Sequence, residues 1–248
     1  MRRGHRPSQP VSNRPRFWGR HAVAAALANP ERTVRRIWAT REAAATFGGF
    51  DGTIPMSFAE APDLGRLVPH DAPHQGIVIE VDPLEDIWLG DLLAQGAGDR
   101  RPLIILDQVT DPHNVGAVLR SAAAFEALGL ITQDRHAPPE GGALAKAASG
   151  ALEFVPWVRV VNLARAMDEI GEAGFWRIGL TGTAKRNLDD AIGTSRVALV
   201  LGAEGEGMRQ NTEAHCDELA KLPISPKIES LNISNAAAIA LYAEARRR

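Results

Sequence analysis

Cysteine is almost missing from the 248 residues: Cys216 stands alone, which excludes an internal disulfide and any multi-cysteine zinc site. It reads as a small core residue, His215 beside it does not make a metal centre, and no metal is expected. No apolar run approaches the length needed to cross a bilayer, so no membrane association is expected. The opening MRRGHRPSQPVSNRPR holds no apolar stretch that could act as a signal peptide, which makes a cytoplasmic location the default expectation. Charge of one sign is not in excess either, and a net charge of −2 argues against a uniformly basic nucleic-acid binder. No internal repeat or low-complexity core segment occurs. A glycine-rich loop after an amino-terminal strand is also missing, which disfavours an ordinary dinucleotide enzyme.

What is present suffices for a globular protein with a full core: 45% of residues are hydrophobic, enough for one large domain or two modest ones. The charge is unevenly spread. Arg2, Arg3, Arg6, Arg14, Arg16 and Arg20 all precede the first acid, Glu31, and Arg246, Arg247 and Arg248 end the chain. Residues 1–15 read as a basic, disordered tail, either an arm that attracts phosphates or a solubilising extension.

Residues 16–81 read as a small α/β unit: GRHAVAAALAN as a helix, VRRIWAT as a strand, REAAATF as a helix and QGIVIEV as a closing strand. Residues 82–100, with Pro83, Gly90, Gly96 and Gly98, form a partly helical linker. From 101 to 248 the apolar stretches LIIL, GLIT, FVPWVRVV, WRIGLTG, VALVLG and ELAKLPI recur between helical segments. That alternation predicts a mainly parallel sheet with helices on both faces.

Chemistry concentrates at the carboxyl ends of those strands, where open α/β sheets place their ligands. The densest point is LDQVTDPHNVGAVLRSAAAFEALGLI, which crowds Asp107, Asp111, Pro112, Asn114, Gly116 and Arg120 into one strand-to-helix junction. Asp111 is a natural N-cap and Pro112 suits a first helical turn, since its missing N–H costs nothing there. Taken singly, Asn114 could be a turn residue and Arg120 a solvated surface charge. A second constellation, VALVLGAEGEGM, sets Glu204 among Gly202, Gly205 and Gly207, so that the backbone could approach a ligand closely or simply turn tightly. A third, LPISPKIESLNISNAAAIALYAEARRR, ends a strand at Leu222 and Pro223 and places Ser230 and Asn232 before an alanine-rich helix, where either could serve as its N-cap.

Together DPHNVGAVLRSA, VLGAEGEGM and LPISPKIESLNISNAAAIALYAEA resemble, in order and spacing, the three signature motifs of the SpoU (TrmH) family of RNA 2′-O-ribose methyltransferases. The preceding unit, with FWGRHAVAAAL near its start and HQGIVIEV at its end, resembles the L30e-like substrate-binding domain of members that modify large-subunit ribosomal RNA. The resemblance implies an α/β carboxyl domain tied in a deep trefoil knot (SPOUT) at residues 101–248, preceded by the L30e-like domain. It implies transfer of a methyl group from S-adenosylmethionine to a guanosine 2′-hydroxyl of 23S rRNA, and assembly as a homodimer through the knotted domain. By position, Asn114, Arg120, Glu204, Ser230 and Asn232 match the family's polar active-site residues. Gly202, Leu222, Leu231, Leu180, Thr181 and Gly182 would line the cofactor pocket. The sequence departs from the family at Asn235, where a hydrophobic residue is usual, and at Pro226, where glycine is common; neither change removes a polar motif residue. A tRNA guanosine methyltransferase and a catalytically silent RNA-binding relative are the alternatives.

Overall fold

A computed structural model describes residues 14–47, 50 and 52–248. Residues 1–13, which make up most of the basic tail, lie outside the described residues. The first third of the chain builds a four-stranded sheet in the order β1-β4-β2-β3, from β1 (Arg16–Trp18), β2 (Val34–Ala39), β3 (Met56–Phe58) and β4 (Ile77–Val81). β4 runs antiparallel to both β1 and β2, while β2 and β3 are parallel. All five residues of β4 are buried, since β4 is central and covered on both faces. One cover is α1 (Arg20–Ala28), which turns Ala22, Val23 and Ala26 inward. Two short helices, α2 (Arg41–Thr46) and α3 (Ala61–Gly65), complete the unit, with Thr40 capping α2 by accepting from the Ala43 amide. The short strands β1 and β3 carry no alternating pattern long enough to be legible in the sequence.

The second sheet has seven strands in the order β7-β6-β5-β10-β8-β11-β9, and every pairing in it is parallel. Its strands are β5 (Leu103–Asp107), β6 (Gly129–Gln133), β7 (Trp157–Val160), β8 (Phe175–Leu180), β9 (Arg186–Asn187), β10 (Arg196–Gly202) and β11 (Glu218–Lys221). Strand side chains alternate between two cores. Leu103 and Ile105 face α4 (Leu89–Gln95) and α7 (Leu163–Glu172), whereas Ile104 and Leu106 face α5 (Pro112–Ala124), α6 (Gly142–Ala148) and α10 (Ile233–Ala245). The small helix α8 (Leu188–Ala191) packs by β9 and β11, and α9 (Gln210–Ala214) packs against α7. This is the expected mainly parallel α/β architecture with helices on both faces.

Two strand ends differ from the sequence expectation. β7 begins only at Trp157, because 151–153 form a 3₁₀ turn and Pro156 has no amide to offer a ladder. β11 stops at Lys221, and the Leu222 carbonyl instead accepts from Ile224 N at 2.9 Å, with Pro223 between them.

Glycine is required where helices or units touch. A Cβ on Gly116 would lie 2.6 Å from the Leu144 carbonyl, which is how closely α5 and α6 pack. A Cβ on Gly142 would enter the Trp18 ring, so α6 also abuts the first sheet. The same seam holds a buried ion cluster. Arg32, from the loop between α1 and β2, donates to Glu140 at 2.5 Å, to Glu153 at 2.9 Å and to the Asp82 carbonyl at 2.8 Å, and it lies over the Phe17 ring. Burial pushes the Glu140 carboxyl above its ordinary range, against the opposing pull of Arg32. The terminal arginines are not a free arm: Arg247 donates to the Ile192 carbonyl at 2.8 Å and Arg248 to the Phe125 carbonyl at 2.6 Å, tying down the end of α10.

Arg32→Ala leaves two buried carboxylates without their counter-charge and should cost about 3–5 kcal/mol in chemical denaturation at neutral pH. A carboxyl whose folded pKa is raised favours the native state below its unfolded pKa and opposes it above. The loss in Arg32→Ala should therefore shrink as the pH falls into the ordinary carboxylate range. Burial also pushes the Cys216 thiol up to about 12. Cys216 should fail to react with a thiol reagent at pH 8 until the protein is unfolded, and fast labelling of the native protein would contradict this.

Candidate active site

The chain climbs through β5 and β6 to β7, then continues with β8 on the other side, so the switch of direction falls between β5 and β10. Crevices outside the carboxyl ends of strands at such a point are where open α/β folds bind ligands. β5 delivers Asp107 there, fully buried. Gln108 follows in the left-handed region at φ 59°, a conformation that costs a non-glycine residue energy and often marks a functional loop. Asp111 then caps α5 by accepting from His113 N at 2.9 Å, with Pro112 as its first residue, which sets Asn114 in the first helical turn.

β10 delivers Gly202 beside Asp107, and the next six residues fold back on the strand end. Gly207 N donates to the Ala203 carbonyl at 2.9 Å, and Gly205 and Gly207 both have positive φ, at 80° and 71°. A Cβ on Gly202 would lie 2.0 Å from the Gly207 carbonyl carbon. The close backbone approach legible at Gly202 is thus to its own loop, and it is this fold-back that presents Glu204.

Glu204 Oε1 is the meeting point of the three motifs. It accepts from Asn114 Nδ2 at 3.1 Å, Asn232 Nδ2 at 2.6 Å and the Ile233 amide at 3.4 Å. Asn232 Nδ2 also donates to Asn114 Oδ1 at 3.0 Å, while its own Oδ1 caps α10 by accepting from Ser234 N at 2.9 Å. The carboxylate therefore sits at the amino end of α10, where the helix dipole favours negative charge. Asn232 is both the cap and a member of the junction.

Arg120 and Ser230 are not drawn in. Both are exposed and neither makes a hydrogen bond or ion pair with any described residue. Arg120 lies six residues along α5 from Asn114, about 9 Å of helix rise, so Glu204 takes the two asparagines and a backbone amide instead of the arginine.

Of the six residues of the expected cofactor pocket, Leu180, Thr181, Gly182, Gly202 and Leu222 lie at or just beyond the ends of β8, β10 and β11, while Leu231 lies in the loop before α10. β8 lies between β10 and β11, with Leu180 level with Leu201 on one side and Ala220 on the other. Gly202, Thr181 and Leu222 follow these residues and share that edge. Thr181 N is held by the Ala220 carbonyl at 2.9 Å. A Cβ on Gly182 would come within 3.8 Å of the Glu229 carbonyl, so the 222–231 loop passes directly over it. Leu180 and Leu222 are half-buried against the core, and the Leu231 amide and carbonyl bond to no described residue. Apolar walls with open backbone donors and acceptors suit a purine nucleoside.

One residue that carries the site was not singled out from sequence. Arg209 reaches back with its amide and Nε to the two Asp107 oxygens, each at 2.9 Å, and with Nη2 to Gln133 Oε1 at 2.9 Å. It ties the end of the Glu204 loop to the ends of β5 and β6. Its sequence signal, a lone arginine just after a glycine-rich loop, is too common to select it.

Comparison with known proteins shows the family of the chain. Residues 101–242 match the model of the SpoU rRNA Methylase family, and residues 17–87 match the model for RNA 2′-O ribose methyltransferase substrate binding. A Synechocystis protein described as an uncharacterized tRNA/rRNA methyltransferase is 39% identical over 94% of this chain, which spans 62% of that protein's length. The 23S rRNA (guanosine-2′-O-)-methyltransferase RlmB of Pseudomonas putida is 35% identical, with 96% of this chain and 98% of that protein covered. The crystal structure of the SpoU methyltransferase AviRb from Streptomyces viridochromogenes in complex with AdoMet superposes with a TM-score of 0.77 at 25% identity, over 94% of this chain and 89% of that one. Fold and site together define an α/β methyltransferase of the RNA-modifying class. The chain belongs to the SpoU rRNA methylase family.

Arg209→Ala should strand a buried carboxylate and destabilise the protein by about 3 kcal/mol, the low end for a buried pair because Arg209 is itself partly exposed. Arg209→Lys should recover only part of that loss in the same denaturation experiment, since a lysine cannot make the forked contacts.

Proposed function

We propose that the protein transfers the methyl group of S-adenosylmethionine to the 2′-hydroxyl of a guanosine in 23S rRNA. The observation that carries this reading is the junction on Glu204 Oε1, which locks all three motif segments together beside the ends of β8, β10 and β11. Likeness to 23S rRNA guanosine methyltransferases over nearly the full chain supports the substrate. Gly202, Leu222 and Leu231 would hold the adenosine part through backbone groups, and Leu180, Thr181 and Gly182 would wall the same pocket. The cofactor supplies an already activated sulfonium methyl group.

The protein's task is then to align a poor nucleophile behind that methyl group and manage its proton. Asn114 and Asn232, held rigid by Glu204, position the ribose, and Ser230 holds the nucleotide. Arg120, exposed and unpaired among the described residues, is free to bind the neighbouring phosphate and stabilise alkoxide charge as it develops. Guanidinium stays protonated, so its role is charge stabilisation in preference to proton removal.

The same reading assigns 16–81 to RNA substrate binding, 82–100 to a linker and 101–248 to the catalytic unit, with a trefoil-knotted path in the latter. It also places the protein in the cytoplasm, as befits an enzyme of ribosomal RNA. Assembly as a homodimer is supported by Ile239 and Tyr242, which α10 leaves 44% and 53% exposed. Among the described residues no helix is long and apolar enough to cross a membrane.

The test is transfer of labelled methyl to unmodified 23S rRNA. Arg120→Ala should lower the rate by roughly 100-fold or more while cofactor affinity stays within two-fold. Labelling of tRNA with 23S rRNA inert would overturn the substrate assignment.

A further inference from the structure

The first sheet carries a cleft that the proposed chemistry does not use. Its volume is about 440 Å³, and Arg20, Thr40, Glu42, Ala43, Ala61, Gln75 and Gly76 line it. The loop that forms one wall is strained: Gln75, not a glycine, has φ 54°, and Gly76 follows at φ 80°. What fixes Gln75 is its side-chain oxygen, which accepts from Arg20 N at 2.9 Å and from Lys146 Nζ at 3.0 Å. Lys146 belongs to α6, the helix that packs most closely on α5, the carrier of Asn114 and Arg120. All the residues that line the cleft belong to the first unit, and one of its walls is tied to the catalytic unit through Lys146.

Arg20 lines the cleft, and Arg41 lies between the lining residues Thr40 and Glu42 in sequence. The Arg20 guanidinium is exposed and bonds to no described residue. Arg41, next to Thr40, has no ion-pair partner among the described residues and instead lies over the Phe58 ring, 4.8 Å from its centroid. Phe58 ends the edge strand β3 beside Ala39 and is 54% exposed. The stack itself contributes only weakly to stability at an exposed site, and it leaves more than half of the Phe58 surface open to solvent.

We propose that this cleft and the Arg41–Phe58 stack form a docking site for a single-stranded nucleotide of the substrate RNA, outside the methylated position. Phe58 offers its free surface to a base, Arg41 and Arg20 take the flanking phosphates, and the Glu42 carboxylate accepts from amino or imino groups on the base edge. Unpaired RNA is recognised in this way, by aromatic and guanidinium planes with phosphate contacts. Because the cleft wall is bonded to α6 through Lys146, a nucleotide held here sets the register of the strand over the catalytic edge. The inference rests on the RNA-methyltransferase reading and names where that RNA is gripped.

The experiment measures binding of labelled 23S rRNA transcript to the full chain, alongside methyl transfer. Phe58→Ala should weaken RNA binding by about ten-fold and raise KM with little change in kcat, and Phe58→Trp should restore both. Arg41→Gln should reduce the slope of log affinity against log salt by about 0.7, the loss of one single-strand phosphate contact. Cofactor affinity and the thermal midpoint should not move, as Phe58 is exposed. Phe154→Ala, at a second exposed phenylalanine far along the chain, serves as the control and should bind RNA normally. If Phe58→Ala binds RNA like the wild type, the docking site is overturned while methyl transfer still stands. A Phe58-dependent RNA affinity in a wild-type protein that methylates no RNA would support the site and refute the enzymatic reading.

Discussion

A buried carboxylate at the end of β5, an inner strand of the parallel sheet, organises this molecule. Asp107 has no exposure to solvent, and such a charge is tolerated only when paired and fully hydrogen-bonded. Arg209 meets that demand with its backbone amide and its guanidinium together. The consequence is geometric: the loop between β10 and α9 cannot swing away from the sheet, and Gly202, Gly205 and Gly207 let it fold tightly enough to comply. Glu204 is then fixed in space, and one of its oxygens collects donors from α5 and from the start of α10. Remove the buried pair and three segments distant in sequence lose their common reference point.

Tight packing behind this edge keeps it rigid. Alternate residues of β5 feed two separate cores, so helices on both faces clamp the same strand. Small residues set the spacing: Gly116 lets α5 lie against α6, and Ala237 and Ala240 are fully buried along α10. Larger side chains there would push the helices apart, and overpacking of a dense interior costs energy as surely as a cavity does. Asn114 and Asn232 owe their positions to these helices, and only their final orientation to Glu204.

The seam between the two sheets adds buried polar contacts to a shared apolar core. Arg32 is held by two carboxylates from the larger unit, and Lys146 reaches the other way to Gln75. Ionic and hydrogen-bonded contacts are directional, so they add an orientational constraint to the apolar packing of the sheets. That constraint holds the first unit in one position relative to the strand-end junction on Glu204.

Much of this was legible in the amino-acid order itself. Uninterrupted apolar runs such as Leu103–Leu106 announce strands covered on both faces, Asp111 and Pro112 mark where α5 starts, and Asn114, Glu204 and Asn232 stand out as polar groups at strand ends. Those signals are local, and local preferences are what a sequence writes most plainly. The short strands β1, β3 and β9 were not legible, because two or three residues carry no periodicity and are extended only because a neighbour pairs with them. Arg209, Arg32 and Lys146 were silent for a related reason: an arginine or lysine looks the same in a sequence whether it is solvated or buried against a partner a hundred residues away. The sequence by itself determined the parallel α/β class and the inventory of reactive groups. Tertiary structure alone decided that Glu204 joins the two asparagines and leaves Arg120 and Ser230 free, since that choice depends on where a buried charge and a folded-back loop bring distant strand ends together.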